Sequence, residues 1–483
     1  MFNDLGTFAL TFSTAVLLVA AWWLRSRLHI GEDFALARRR LHATMVGLSQ
    51  AINCVPAWML MMLSLLAYSI GLAAMWMALA MLIGLVINWW WVAPKLRKQV
   101  LATNSFTLSH WFASTAGDSL QAVTRRSATS IVVFCIGLAT ITQLQWAAFR
   151  LAGVLDTTVL VATILIVGVL LIAAVLAGIW AACIGDLIQL SLLTVSLSLI
   201  AIYSFITVGG WLPLWSGVMT RERAPAPWFN GYSGVLAVAL VVGVLFAGLA
   251  SAAQPQVIAR YFACRDELTL RRARLIALAW SVFALAIALL IGWCARVLLN
   301  GQLSGGELFD ALTSKAVPSS AGIFISAAVA IAFALSCISP WVATAVHLAM
   351  DLRGPQHTLS LLWCQVCVCL LGVLLGLAAI YLPAANEDRL WLCWHALSAA
   401  FGPLLLVRLT GKKVRPASAL GAMWSGFVLT ILFHLMPDTP GDLLERSLPF
   451  IAAMGIALSG GDQRRNPNRA DRGDKTIHDH LPI

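Results

Sequence analysis

Apolar residues in this chain come in long unbroken runs, and the runs recur from Thr7 to about residue 460. An α-helix rises about 1.5 Å per residue and a bilayer's hydrocarbon core is about 30 Å thick, so about 20 apolar residues cross it. The pattern predicts spans near 7–24, 42–68, 72–93, 128–149, 157–178, 184–208, 233–253, 273–298, 320–349, 358–382, 389–407 and 417–436, with a short one near 447–460. That is an all-α integral membrane protein of about 13 transmembrane helices. Arg25 and Arg27 follow the first run rather than precede it, the reverse of a signal peptide, so that run is expected to stay as a helix. Residues 1–460 read as a single polytopic domain. Residues 461–483 are polar and basic and are expected to form a disordered cytoplasmic tail.

Two spans carry polar and helix-breaking residues near their middle. The second contains Gln50, Asn53 and Pro56, and the seventh contains Gly248 and the pair Gln254–Pro255. Backbone groups freed inside hydrocarbon must face protein, water or a ligand, so such breaks mark cavities. The two stand five spans apart, the spacing of paired, inverted five-helix repeats whose opened first helices hold substrate at the midplane. Repeat one would cover about 42–208 and repeat two about 233–407, with extra helices at both ends.

Composition supports this reading: 60% of residues are hydrophobic and 11% charged, where a soluble domain carries roughly 25% charged residues. The net charge of +11 would suit a nucleic-acid binder, but the basic residues cluster in short loops between apolar runs. Twenty-five of the 32 Lys and Arg fall on one set of alternate loops and seven on the other. The positive-inside rule then puts the amino terminus outside a plasma (bacterial inner) membrane and the carboxy terminus in the cytoplasm. Cys364, Cys367 and Cys369 sit among Leu, Val and Trp with no acidic or His neighbour, which reads as helix packing rather than a metal site. No spacing of His, Asp and Cys suggests an enzyme, a resident metal or a cofactor.

Several stretches carry a resemblance. FALARRRLHATMVGLSQAINCVPAWML, INWWWVAPKLRKQVLATNSFTLSHWF, GIWAACIGDLIQ, AAQPQVIARYFACRDELTLRRARLIALAW, AGIFISAAVAIAFALSC and AFGPLLLVRL occur in this order over roughly residues 30–430. Together they resemble the sodium:solute symporter family, in particular its proline-transporting members. The resemblance implies a LeuT-type fold and cotransport of sodium with amino acids, sugars or other small organic solutes.

By the same resemblance the family's sodium site joins the opened second span to the ninth. Its positions fall on Ile52, Cys54, Val55, Ala330, Phe333 and Ala334. Cys54 stands where proline-transporting members have aspartate, and Phe333 and Ala334 stand where they have hydroxyl ligands. A sodium ion must replace its lost hydration with oxygens, so the site is expected to be eroded, leaving coupling to sodium, to protons, or to neither. No Lys or Arg stands at these positions to supply a fixed charge. Asp186 has three available roles: a remodelled cation site, a proton relay, or an amino-terminal cap for the sixth span. His395, beside Trp391 and Trp394, is either a proton carrier or a packed interfacial residue.

The resemblance places Gln50, Asn53, Gln143, Trp146, Ser251, Gln254, Ser336 and Ser339 around the substrate cavity. Two aromatic positions of proline-transporting members match Gln143 and Ala247, so proline itself is not inferred. Two functions remain. One is secondary active transport of a small organic solute such as an amino acid. The other is a transporter-derived sensor or scaffold that binds solute or a partner without transport. The partners expected are the solute and the lipid bilayer.

Overall fold

A computed structural model describes residues 3–114, 118–221, 227–301, 303–353, 359–384 and 386–460; the basic tail lies outside the described residues. Its principal helices are α1 (Asn3–Leu24), α2 (Ala43–Cys54), α3 (Ala57–Ile70), α4 (Met75–Ile87), α5 (Asp118–Leu155) and α6 (Val159–Ala177). There follow α7 (Ile179–Val208), α8 (Val235–Leu249), α9 (Pro255–Ala263), α10 (Glu267–Leu298), α11 (Gly305–Ala316) and α12 (Ser319–Ser336). The last five are α13 (Ile338–Arg353), α14 (Leu361–Tyr381), α15 (Asp388–Leu409), α16 (Pro416–His434) and α17 (Leu443–Ser459). Among the described residues, 11 helical segments are long and apolar enough to cross a membrane. Counting the broken second span and the 17-residue α17 separately gives the thirteen that the hydrophobic pattern predicts.

Both predicted breaks are present. Between α2 and α3, Val55 leaves the helical region and Pro56 is extended. Proline donates no hydrogen bond and pushes the residue before it out of the helical region. Between α8 and α9 the chain tightens into a 3-10 turn over Ala250–Ala253 and then extends at Gln254, after which Pro255 opens α9. Proline suits that first helical position because its missing N–H would have had no partner there.

Two details correct the sequence reading. The ninth span, predicted as continuous over 320–349, is two helices that meet at Cys337, with Pro340 in the first turn of α13. The sixth span begins five residues earlier than predicted, after Gly178 at φ +52°. Asp186 therefore lies inside α7 and does not cap it.

The two opened spans pack through glycine. Gly84 on α4 faces the backbone of Gly248 on α8, and Gly248 in turn faces the backbone of Ala80 on α4, with no room for a Cβ on either glycine. Gly292 on α10 meets the backbone of Ser64 on α3 in the same way, and Gly47 on α2 abuts Ala273 on α10. Thus α2 and α3 pack on α10, and α4 packs on α8. Small residues let backbones approach where hydrocarbon offers no hydrophobic drive to association. Outside this group, α1 lies against α6, α7 and α12, while α16 and α17 flank α15.

Candidate functional site

The three breaks converge on one narrow chamber of about 550 Å³, counting its mouth. Ile52, Asn53, Pro56 and Trp58 come from the first break, Gln254 and Gln256 from the second, and Ser336 and Pro340 from the third. Gln143 of α5, Asp186 and Gln189 of α7, and Trp394 of α15 complete the polar and aromatic wall. Opened helices expose backbone and short polar side chains in places that a regular helix would cover.

Neutral amides dominate that wall. Ser336 Oγ donates to Gln143 Oε1 at 2.5 Å. Gln254 Nε2 donates to the carbonyls of Ala250 and Trp394, both at 3.2 Å, and Trp394 Nε1 donates to the carbonyl of Ala247 at 3.2 Å. These bonds hold the second break against α15. Gln189 Nε2 is buried and has no hydrogen-bond partner among the described residues. On one side Trp58 stands edge-on to Trp391 and Trp394, with ring centroids 5.1 and 5.7 Å away. Beyond the aromatic wall an open vestibule of about 1760 Å³ is lined by Gln145, Trp146, Arg150, Glu307, Asp310 and Glu387.

On the other side of the chamber lies a charged cluster. Asp186 Oδ2 accepts from Arg260 Nη2 at 2.7 Å, from Ser49 Oγ at 2.5 Å and from Asn53 Nδ2 at 2.8 Å. Its Oδ1 accepts from Ser339 Oγ at 2.7 Å. Arg260 also donates from Nε to Ser49 Oγ at 2.9 Å and from Nη2 to Ser339 Oγ at 2.5 Å. Arg260 and Asp186 are each 1% exposed. The cluster thus joins α2, α7, α9 and α13. Beyond it the chain is closed by backbone contacts: Arg39 donates to the carbonyls of Phe262 and Ser105, and Arg97 to those of Cys264 and Arg265.

The sequence-predicted residues divide. Asn53, Gln143, Gln254 and Ser336 line the chamber, as does Ile52, and Ser339 belongs to the charged cluster. Gln50 is buried in α2 outside the chamber lining, and Ser251 turns back to the carbonyl of Gly248 at 3.3 Å. Trp146 lines the vestibule and meets Phe333 edge-on at 5.6 Å. Cys54 and Val55 are buried at the first break. Ala330 and Ala334 line a separate apolar cleft beside α1.

Arg260 is what sequence reasoning missed. The hydrophobic pattern groups it with the basic residues of a loop, but it lies in the helix that Pro255 starts. A cation only five residues past a span's Gln–Pro break was the available signal. His395 is not alone either: it stacks on Trp391 at 5.4 Å and its Nδ1 lies 3.5 Å from Glu445, which also meets His434 Nδ1 at 3.1 Å. Among the described residues no group of His, Cys, Asp or Glu is arranged to hold a metal ion.

Opened helices meeting at a polar chamber within a bundle of membrane spans define the secondary-transporter class of fold. The chain belongs to the sodium:solute symporter family, whose profile matches residues 34–428. It is 24% identical over 438 residues to the osmoregulated proline transporter OpuE of Bacillus subtilis, covering 86% of each chain. It is 26% identical over 474 residues to the sodium/proline symporter of Haemophilus influenzae, covering 92% of this chain and 91% of that one. Among solved structures, a Na+-coupled sialic acid symporter in its substrate-bound, outward-open state superposes with a TM-score of 0.79 at 17% identity, covering 94% of this chain and 96% of that one. That likeness establishes the LeuT-type fold. The family is one of symporters, not of enzymes.

Proposed function

We propose that this chain is a secondary transporter that carries a small polar organic solute of no net charge, a zwitterionic amino acid among the first choices, across the bacterial inner membrane. The observation that carries this reading is the chamber's electrostatics. Its recognition groups are amides, a hydroxyl and the Trp58 and Trp394 rings, and its one acidic side chain, Asp186, is already paired with Arg260. A solute with an uncompensated charge would lose its hydration there without gaining a counter-charge, which costs several kcal/mol. A neutral or internally compensated solute loses less and satisfies amides such as Gln189. Relatives named as proline transporters make L-proline the first solute to test.

The uneven distribution of basic residues supports an outward amino terminus and a cytoplasmic carboxy terminus. Arg125, Arg260 and Arg408 are buried on one side of the count and Arg296 and Arg446 on the other, and removing them leaves the imbalance in place. The vestibule then faces outside and the charged cluster lies toward the cytoplasm.

Counterflow of labelled solutes in proteoliposomes tests the proposal. Zwitterionic or neutral solutes should exchange, whereas singly charged analogues of the same size should not. Preferential exchange of a charged analogue would overturn the charge argument, and tight binding with no exchange of any solute would favour the sensor or scaffold role.

A further inference from the structure

The chamber takes one stripe of α15, that of Leu390, Cys393, Trp394 and Leu397. The adjoining stripe carries Trp391 and His395, one helical turn apart, and His395 meets α17 instead. There Glu445 lies between two imidazoles: Oε1 is 3.5 Å from His395 Nδ1 and Oε2 is 3.1 Å from His434 Nδ1. The side chain of His395 is 3% exposed, that of Glu445 14% and that of His434 26%, so the row leads from the surface inward to the back of the chamber wall. Asp442 and Arg446 on α17 are paired beside it at 2.5 Å, and Arg446 lies over the Trp391 ring. At the head of α15, Glu387 and Asp388 share a pocket of about 840 Å³ with that pair, and Arg389 is turned to the carbonyl of Pro383. The other helices against α15, α5 and α8, bring no charged side chain to His395.

We propose that His395, Glu445 and His434 form a proton site, and that the proton held there enters through the carrier together with its solute. Charge is the first reason. With both imidazoles neutral, Glu445, Asp442 and Arg446 sum to one negative charge; a single proton brings this corner to neutrality and a second overshoots it. An uncompensated buried carboxylate is unfavourable, and imidazole is the side chain that ordinarily changes charge between about pH 5 and 8. Chemistry is the second. The proton comes from water at His434 and is held between an imidazole nitrogen and an oxygen of Glu445, with no other bond made or broken. Two nitrogens and one carboxylate offer a sodium ion too few oxygens, and among the described residues no such group is arranged to hold a metal ion.

Position is the third reason, because the histidines belong to one packed unit and the glutamate to another. A Cβ on Gly426 of α16 would meet the backbone of Ala399, so α15 and α16 are joined main chain to main chain. Gly441, just before α17, is joined in the same way to Leu240 and Gly243 of α8. A proton turns the contact between the two units into an imidazolium–carboxylate hydrogen bond, which is stronger than a neutral one. His395 stacks on Trp391, whose ring meets Trp58 of the chamber, and Trp394 beside it anchors the second break. Fastening this corner holds the aromatic wall in its solute-binding form. Parting the units separates imidazole from carboxylate and lets the proton go. By linkage, a solute that binds the fastened form more tightly carries a proton with it. The inference rests on the transport reading for that consequence only; the proton site stands by itself.

The first test needs no solute. Full-length protein isotopically labelled at histidine, in lipid bilayers, is followed by solid-state NMR from about pH 8 to about pH 5, the His395 signal being the one that His395→Gln removes. That signal should pass from neutral imidazole to imidazolium in wild type and stay neutral over the same range in Glu445→Gln. A His395 that is neutral throughout in wild type, or that titrates unchanged in Glu445→Gln, would overturn the proposal. Should Glu445→Gln fail to fold, His434→Gln at the exposed end takes its place: it should shift the His395 titration, and an unmoved titration refutes the cluster. The second test is L-proline uptake into proteoliposomes with sodium equal on both sides. Acid outside should concentrate L-proline several-fold above its outside level, a protonophore should abolish this, and His395→Gln should lose it. Wild type that exchanges L-proline in counterflow but gains no accumulation from the pH gradient refutes cotransport. If L-proline does not exchange at all, the transport reading fails for that solute, while the NMR titration still decides the proton site.

Discussion

Among the described residues two arginine–aspartate pairs are buried, and they differ in what they join. Arg260 and Asp186 lie 2.7 Å apart and draw Ser49, Asn53 and Ser339 into one cluster on the chamber wall. Arg125 on α5 and Asp351 on α13 also lie 2.7 Å apart, with Ser109 and Thr129 donating hydroxyls to the same carboxylate. The second pair touches neither the second nor the seventh span, and its Asp351 sits near the far end of α13 rather than beside the chamber. Both pairs are similarly dry, at 1–4% exposure. Burial and ion pairing alone therefore do not mark a functional site; connection to the opened helices does.

The sharpest way to break this comparison is Arg260→Ser. Removing one partner of a buried pair costs about 3–5 kcal/mol, and here the orphaned carboxylate also pulls on two chamber-bearing helices. Thermal unfolding in nanodiscs should show the loss. A variant as stable as wild type, with unchanged solute binding, would remove the cluster from any functional account. Arg125→Ser should cost a similar amount, about 3–5 kcal/mol, but solute affinity of the folded fraction should match wild type by equilibrium binding. A changed solute affinity would erase the distinction between the two pairs.

Smaller changes refine it. Ser339→Ala removes a hydroxyl that bridges both charges, and hydrogen bonds to charged groups contribute about 1.5–3 kcal/mol. Ser109→Ala removes a longer bond to Asp351 at 3.2 Å and one to the Thr107 hydroxyl at 3.0 Å, neither of which bridges two charges, and should cost less in the same melts. Equal costs would mean that the bridge at Ser339 has no special weight. Trp394→Phe keeps the ring against Trp58 but deletes the bond to the carbonyl of Ala247. It should lower stability by about 0.5–1.5 kcal/mol while weakening solute binding, because the second break loses its anchor on α15. Weakened binding without that loss of stability would point to direct solute contact instead.

Much of the architecture was legible in the sequence because its causes are local. Twenty-residue apolar runs set the spans, and Pro56 and Gln254–Pro255 set two breaks at matching places. The third break also had a local cause, Pro340, but an apolar run on both sides hid it. The cluster was not legible: Asp186 and Arg260 are 74 residues apart, and only helix packing brings them together. A cap stood among the three roles open to Asp186 because the run at 184–208 conceals an earlier start after Gly178. Ala330 and Ala334 stand one helical turn apart and share a stripe that faces α1, whereas Ser336 and Pro340, on the two sides of the third break, both line the chamber. An alignment gives positions in order, and a 100° rotation per residue decides which of them meet.

The glycine contacts have a mechanical meaning. Where Gly84 and Gly248 press backbone to backbone, and Gly292 does the same against Ser64, no side chain lies between the rods to act as a bearing. Sliding would drive main chain into main chain, so α4 with α8, and α3 with α10, must travel as welded pairs. Spectroscopic labels placed on the two members of one pair should report a fixed separation throughout the working cycle. Labels set across from α8 to α5 would record whatever swing occurs.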